Sequence, residues 1–289
     1  DYGELFREEG NFNNEVIWER VIDNQKVRTM GIERDLFPNG FGGWAVCVPT
    51  QRQVDAYETA NGLYINEDPS YDPAKFWENR DPRFYATILY DGAPFRGREI
   101  ETFMPGGMDS FSGPIGQWNA SYTGYYTRKF VNEFLDGSPG GSSGNTSNPN
   151  WPYLRYAEIL LNYAEASYHL NEEGVAREYL NMIRSRPSVN MPDVTDAGED
   201  LLKRIKNERQ VELYMEEHRF FDIRRWKEVF PENDHIKKMN VEIDPDTGEK
   251  TYFLTNVIEW ALPEHTYRIP IPQDEITRSP GLEQNPGYN

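Results

Sequence analysis

Several groups of residues in this chain have the types and spacing for chemistry. Glu208, Arg209, Glu212, His218, Arg219, Asp222 and Arg225 have the composition of a general acid–base site, where a carboxylate or imidazole with a shifted pKa moves a proton. Their three-to-four spacing also makes them neighbours on one helix, so ion pairing along a scaffold helix is the plainer expectation. The loop acids Asp72, Asp81 and Asp109 could provide the two carboxylates of a glycoside hydrolase. With 48 acidic residues a candidate pair carries no weight, and Pro82 between Asp81 and Arg83 marks a fixed turn. Asp244-Pro245-Asp246-Thr247-Gly248 resembles the opening of a calcium loop. It lacks both the third oxygen ligand and the Glu at the twelfth position, so a turn is expected. No His pair has zinc-helix spacing, and Cys47, between Val46 and Val48, reads as a small buried hydrophobe. No catalytic residue, metal or cofactor is expected from these groups.

The remaining chemistry lies in aromatic rings set among glycines. The chain holds 18 Tyr, 15 Phe and 7 Trp. A pyranose presents apolar C–H faces and a rim of hydroxyls, so a site for one needs a flat ring plus a few amide or guanidinium groups. Two segments fit: Phe37-Pro38-Asn39-Gly40-Phe41-Gly42-Gly43-Trp44, and Trp118-Asn119-Ala120-Ser121-Tyr122-Thr123-Gly124-Tyr125-Tyr126. Phe41, Trp44, Trp118, Tyr122 and Tyr125 are the candidate stacking residues, with Asn39, Asn119 and Arg96 as polar partners. The competing reading is that each ring packs under its own loop. Trp226 and Phe221 are expected in a core.

The elements that must position these residues divide near residue 150. Residues 1–150 are rich in Gly and Pro and read as a loop-rich, ligand-facing region; 151–289 read as helical with an extended tail. In the first part, Thr50 and Gln53 form a capping-box pair and predict a helix through Tyr57 and Ala60 to Asn61-Gly62. Phe84 to Tyr90 alternates as a strand. Gly137 to Gly144 is a flexible linker-like loop, and Asn119-Ala-Ser121 and Asn145-Thr-Ser147 match glycosylation acceptors. In the second part, apolar spacing predicts helices over Tyr153 to His169, with Pro152 in its first turn, and over Val175 to Ser185. Small Ala164 and Ala176 suit a closely packed, tetratricopeptide-like hairpin that needs a partner surface from elsewhere. A longer helix is predicted from a capping box at Asp196 and Glu199 to Val229. A β-hairpin turns at Asp244 to Gly248, and Tyr267 to Pro272 is extended.

Composition narrows the partners. The chain has 289 residues and a net charge of −18, with its densest basic stretch interleaved with acids, which argues against nucleic acid and anionic membrane surfaces. A single cysteine allows no intrachain disulfide, and no apolar run approaches the roughly 20 residues of a membrane span. The N-terminus lacks the basic and apolar regions of a signal peptide, so the expectation is either a cytosolic chain or a processed piece.

In family order, several stretches resemble the SusD/RagB family of outer-membrane glycan-binding lipoproteins. These are Pro49 to Tyr57 with Asn61-Gly62, Asn79-Arg80-Asp81-Pro82-Arg83-Phe84, Tyr153 to Leu161, Ile205 to Leu213, His218 to Trp226, and Ile269-Pro270-Ile271-Pro272 to Gln284-Asn285-Pro286-Gly287-Tyr288. Departures include Gln210, Glu217 where the family often has Gly, and Ser279. The resemblance implies a mainly α, tetratricopeptide-like superhelix with an irregular loop region and short β-hairpins. It further implies a non-catalytic, cell-surface binder of oligosaccharide or polysaccharide that delivers its ligand to a SusC-like TonB-dependent transporter. Its outer-membrane attachment would be a lipid anchor absent from this chain. Family members are longer, so a C-terminal portion is expected. A glycan-processing hydrolase, a pure protein-interaction scaffold and a peptide-binding member stand as alternatives.

Overall fold

In the computed structural model, residues 1–22, 32–114, 117–135, 147–228, 230 and 234–288 are described. Element order is β1 (Val16–Arg20), α1 (Ile32–Leu36), α2 (Gln51–Ala56), α3 (Pro82–Thr87), β2 (Ile88–Leu89), β3 (Pro94–Phe95), β4 (Arg98–Glu99), β5 (Tyr126–Thr127) and β6 (Trp151–Arg155). It continues with α4 (Tyr156–His169), α5 (Glu173–Arg184), α6 (Gly198–Glu212), α7 (His218–Arg225), β7 (His235–Ile243), β8 (Lys250–Glu259) and α8 (Gln273–Arg278). The fold is mainly α and tetratricopeptide-like, with loops and small two-stranded sheets around the helices.

The helical frame follows from local signals. α4 and α5 form the expected hairpin and bury Leu161, Ala164, Ala176, Leu180 and Ile183. α6 closes one side of it through Leu201 and Ile205. Tyr156, Ile159, Tyr163, Leu170 and Met182 remain exposed on the hairpin. A second core gathers Phe37, Val54, Tyr57, Phe84, Ile88, Phe95, Tyr125 and Phe130 from the loop-rich part with Val211 of α6 and Val241 of β7.

Several elements differ from expectation. α2 is capped as predicted, with the Thr50 hydroxyl accepting from Gln53 N at 3.3 Å, but it stops at Ala56. The buried Arg80 guanidinium takes the Val54 and Tyr57 carbonyls, both at 2.7 Å, and so competes for the last turn. Phe84–Tyr90 is mostly helix rather than strand. Asp81 accepts from Arg83 N at 2.8 Å and Pro82 sits in the first turn, a helix start that outweighs the apparent alternation. Pro152 lies in strand β6, where it pairs with Glu19 of β1 and so delays α4 to Tyr156.

The predicted long helix is two. Asp196 does not cap α6 but pairs with Arg204 at 3.2 Å, and Met215 and Glu217 are left-handed (φ 64° and 67°) between α6 and α7. Phe221 is exposed and Trp226 half-buried, its indole N–H donating to Glu165 at 2.7 Å. Cys47 is exposed. The segment is held by its backbone, Val46 N to Asp35 O and the Cys47 carbonyl accepting from Thr127, which leaves the thiol outside. The hairpin β7–β8 turns where predicted, with the Asp244 carboxylate accepting from Asp246 N and Thr247 N at 2.8 and 3.1 Å, but its strands are longer. The stretch Gly137–Gly144 and Asn145 lie outside the described residues.

Candidate functional site

The acid–base constellation on α6 and α7 is engaged, and its partners come from far along the chain. Glu212 is fully buried; its Oε1 accepts from Arg155 at 2.7 Å and its Oε2 from Arg83 at 2.9 Å and Arg186 at 2.6 Å. Glu208 meets Arg83 at 2.5 Å and Arg184 at 2.8 Å, and Glu216 meets Lys129 at 2.7 Å and Arg155 at 2.6 Å. Arg184 and Arg204 share the buried Glu58. Burial alone would raise the carboxyl pKa values, but the facing guanidiniums hold Glu208, Glu212 and Glu216 below the usual range. Burial pushes the Lys129 ammonium down to about 8, with Glu216 opposing. On α7, Asp222 bridges Arg209 and Arg225 at 2.7 and 2.9 Å. This array is a cross-link among α3, β6, α5 and α6 whose carboxylate oxygens are already filled.

The loop acids are engaged as well. Asp72 caps a short turn by accepting from Ala74 N at 2.9 Å, Asp81 pairs with Arg83 at 2.7 Å, and Asp109 pairs with Arg98 at 2.6 Å. Among the described residues no group of three or more His, Cys, Asp or Glu is placed to hold a metal ion.

The aromatic candidates fall into three environments. Asn39 and Tyr125 are fully buried: the Tyr126 hydroxyl donates to Asn39 Oδ1 at 2.8 Å, and the Tyr125 hydroxyl donates to Gln51 Oε1 at 2.7 Å. Phe41 is half-buried edge-on to Phe95, with the Arg98 guanidinium 3.9 Å over its ring. Arg96 lies 5.1 Å over Phe37 and donates to the Leu135 carbonyl. Trp44 is half exposed, but Arg34 stands 4.4 Å over its ring.

The third environment is open. Trp118 is 93% exposed and Tyr122 67% exposed, with Asn119 half-buried between them. The Tyr122 ring meets Phe111 edge-on at 5.5 Å, and Lys238 of β7 lies 4.9 Å from the Phe111 ring. The loop docks on the hairpin through Met239 N, which donates to the Thr123 carbonyl at 2.9 Å. Gly124 permits that approach: it is left-handed (φ 81°), and a Cβ there would stand 2.1 Å from the Met239 carbonyl oxygen. The cleft between loop and β7 holds only about 10 Å³, so this is a platform rather than a pocket.

Sequence reasoning missed Phe111 and Lys238. Phe111 follows the same rule that found Trp118, a ring beside Ser and Gly, whereas Lys238 reaches the platform only because β7 docks there.

The sequence profile described as the SusD family matches residues 14–288. Among solved structures, a SusD-like protein from Bacteroides fragilis is 28% identical with a TM-score of 0.76, over 99% of this chain and 57% of that one. A SusD-like carbohydrate binding protein from the same species is 30% identical with a TM-score of 0.75, over 95% of this chain and 56% of that one. SusD-like protein P2 of Formosa agariphila is 29% identical over 160 residues, 51% of this chain and 28% of its own length. The chain therefore spans little more than half of the solved relatives. No helix among the described residues is long and apolar enough to cross a membrane.

Proposed function

The chain belongs to the SusD family, and from that premise we propose that it binds oligosaccharide or polysaccharide without cleaving it. The observation that carries the reading is the open platform of Trp118 and Tyr122, backed by Phe111 and flanked by Lys238. Large rings left in water beside hydrogen-bonding groups suit the apolar face and hydroxyl rim of a sugar, and their exposure costs the protein burial it could otherwise have had. Asn119 supplies a polar group on the same loop, and Trp44 with Arg34 and the Phe41–Arg96 region are secondary contacts. In this reading residues 1–150 face the ligand, and 151–289 hold the frame on which that loop is carried. This chain spans 57% and 56% of the two solved relatives, so the binding activity of a whole family member is proposed here rather than carried over.

We further propose that the protein sits on the outer face of a bacterial outer membrane and hands its ligand to a SusC-like TonB-dependent transporter, as the family resemblance implies. The charge of −18 fits attachment through a covalent lipid rather than through basic residues. Calorimetry and affinity electrophoresis against a polysaccharide panel test the binding. Retention of at least one glycan is expected, weakened about tenfold in Trp118→Ala, which corresponds to about 1.4 kcal/mol. Unchanged retention in Trp118→Ala and Tyr122→Ala removes the platform, and release of reducing ends from the retained glycan removes the non-catalytic reading. Co-purification with the transporter tests the delivery step.

A further inference from the structure

A second concavity shares no lining residue with the cleft at the platform; it is bounded by α2, the α6–α7 junction and the start of β7, with a volume of about 560 Å³. That falls within the roughly 300–1,000 Å³ of small-ligand sites. It contains none of the aromatic residues singled out from the sequence as stacking candidates. Its walls include Phe220, Phe230 and Trp260 together with Arg52 and Arg219.

Arg52 is incompletely satisfied. Its guanidinium lies 4.2 Å over Phe230 and 5.4 Å from Trp260. Nη2 meets Asp234, whereas Nη1 is out of solvent and has no hydrogen-bond partner among the described residues. Arg219 donates to Glu228 at 2.8 Å. Burial lowers its pKa; Glu228 and Asp222 oppose that and Arg52 adds to it, so the two guanidiniums sense one another. Of the wall's acids, Asp234 is committed to Arg52, and Asp55 accepts from the Gln51 amide at 2.8 Å with its pKa raised by burial. Glu217 is exposed at the rim, as is Lys237. In a chain of −18 this is a place where cations match acids and a desolvated N–H donor stands idle.

An ionised acceptor answers that donor better than a hydroxyl, because it adds charge–charge attraction to the hydrogen bond, and the planar guanidinium matches a carboxylate bidentately. Trp260 and Phe220 line the same cavity and add apolar surface beside it. We propose that this cavity is a second saccharide site that takes a uronic acid residue, its carboxylate on Arg52 and Arg219 and its ring against Trp260. The choice of a sugar over another ring-bearing acid rests on the glycan-binding reading above.

Calorimetry of the protein with tetragalacturonate, with glucuronate and with the carboxyl-reduced neutral tetramer tests it, with triglutamate as the peptide comparison. At least one uronate is expected to bind tenfold or more tightly than the neutral tetramer and triglutamate. Arg52→Gln and Arg219→Gln are each expected to weaken it at least tenfold with unchanged melting temperatures. Arg52→Lys should recover part of the loss, and Trp118→Ala should leave uronate affinity unchanged. Binding of neither uronate, equal binding of the neutral tetramer, tighter binding of triglutamate, or indifference to Arg52→Gln overturns the inference. Uronate binding lost in Trp118→Ala but kept in Arg52→Gln overturns it while leaving the platform standing. Arg52-dependent uronate binding alongside a platform indifferent to substitution supports it and removes the platform instead.

Discussion

The α6 ion cluster and the 117–125 platform invert what their residue types suggest. The cluster holds a dense set of groups able to move protons, and its central member Glu212 has both oxygens filled by Arg83, Arg155 and Arg186 and no surface of its own exposed. The platform has few titratable groups, yet Trp118 and Tyr122 stand in water on a loop fixed to β7 by one close backbone approach. The capacity for further interaction lies in what is left unsatisfied, and a saturated cluster has none to spare. Buried charges need their partners, because each ion costs several kcal/mol to desolvate. Exposed rings need a structural reason for not being buried, and the docked loop supplies it.

The sharpest way to break this comparison is Glu212→Gln. It leaves three arginines short of an anion and is expected to destabilise the protein by about 3–5 kcal/mol in urea unfolding. A loss below about 1 kcal/mol would mean that the cluster does not hold the frame. Acid is the second probe. Glu208, Glu212 and Glu216 have folded pKa values depressed by their cations despite burial, so the unfolded chain takes up protons first as pH falls. The stability they contribute is present above about pH 4.5 and lost below it, at about 1.4 kcal/mol per pH unit for each such carboxylate. Urea midpoints measured from pH 7 to pH 3 should fall in that window, and more shallowly in Glu212→Gln.

On the platform side, Trp118→Ala should change stability by less than about 0.5 kcal/mol while costing about tenfold in glycan affinity, or about 1.4 kcal/mol. A large stability loss would make the ring part of a core. The smallest effect tests the break between α6 and α7. Glu217 is exposed and left-handed, a conformation costing a side chain about 1–2 kcal/mol, part of which glycine returns through its freer unfolded chain. Glu217→Gly should stabilise the protein by about 0.5–1 kcal/mol in the same unfolding assay, without touching glycan affinity at the Trp118 platform.

Much of the frame was legible because its signals are local. The Thr50 cap, the hairpin of α4 and α5 with Ala164 facing Ala176, and the turn at Asp244 depend on residues within a few positions or a few helical turns of one another. The Asp81-Pro82 helix start was equally local, but the apparent alternation from Phe84 to Tyr90 masked it. For the candidate site, composition marked Trp118, Tyr122 and Asn119, and it marked Asn39 and Tyr125 by the same rule. Nothing within the loops tells an exposed ring from one under the loop.

The sequence by itself determined helix type, the turn chemistry, the membership-bearing motifs and the charge that makes nucleic acid an unsuitable partner. The tertiary structure decided what each of those residues faces. Arg83, Arg155 and Glu212 are far apart in the chain and meet only because α3, β6 and α6 share a core. Lys238 reaches Phe111, and Arg52 lies over Phe230, only because β7 and its neighbours pack where they do. Periodicity and caps act over one or two helical turns. Burial and the filling of a hydrogen-bond donor are set by whatever the rest of the chain brings to the same place.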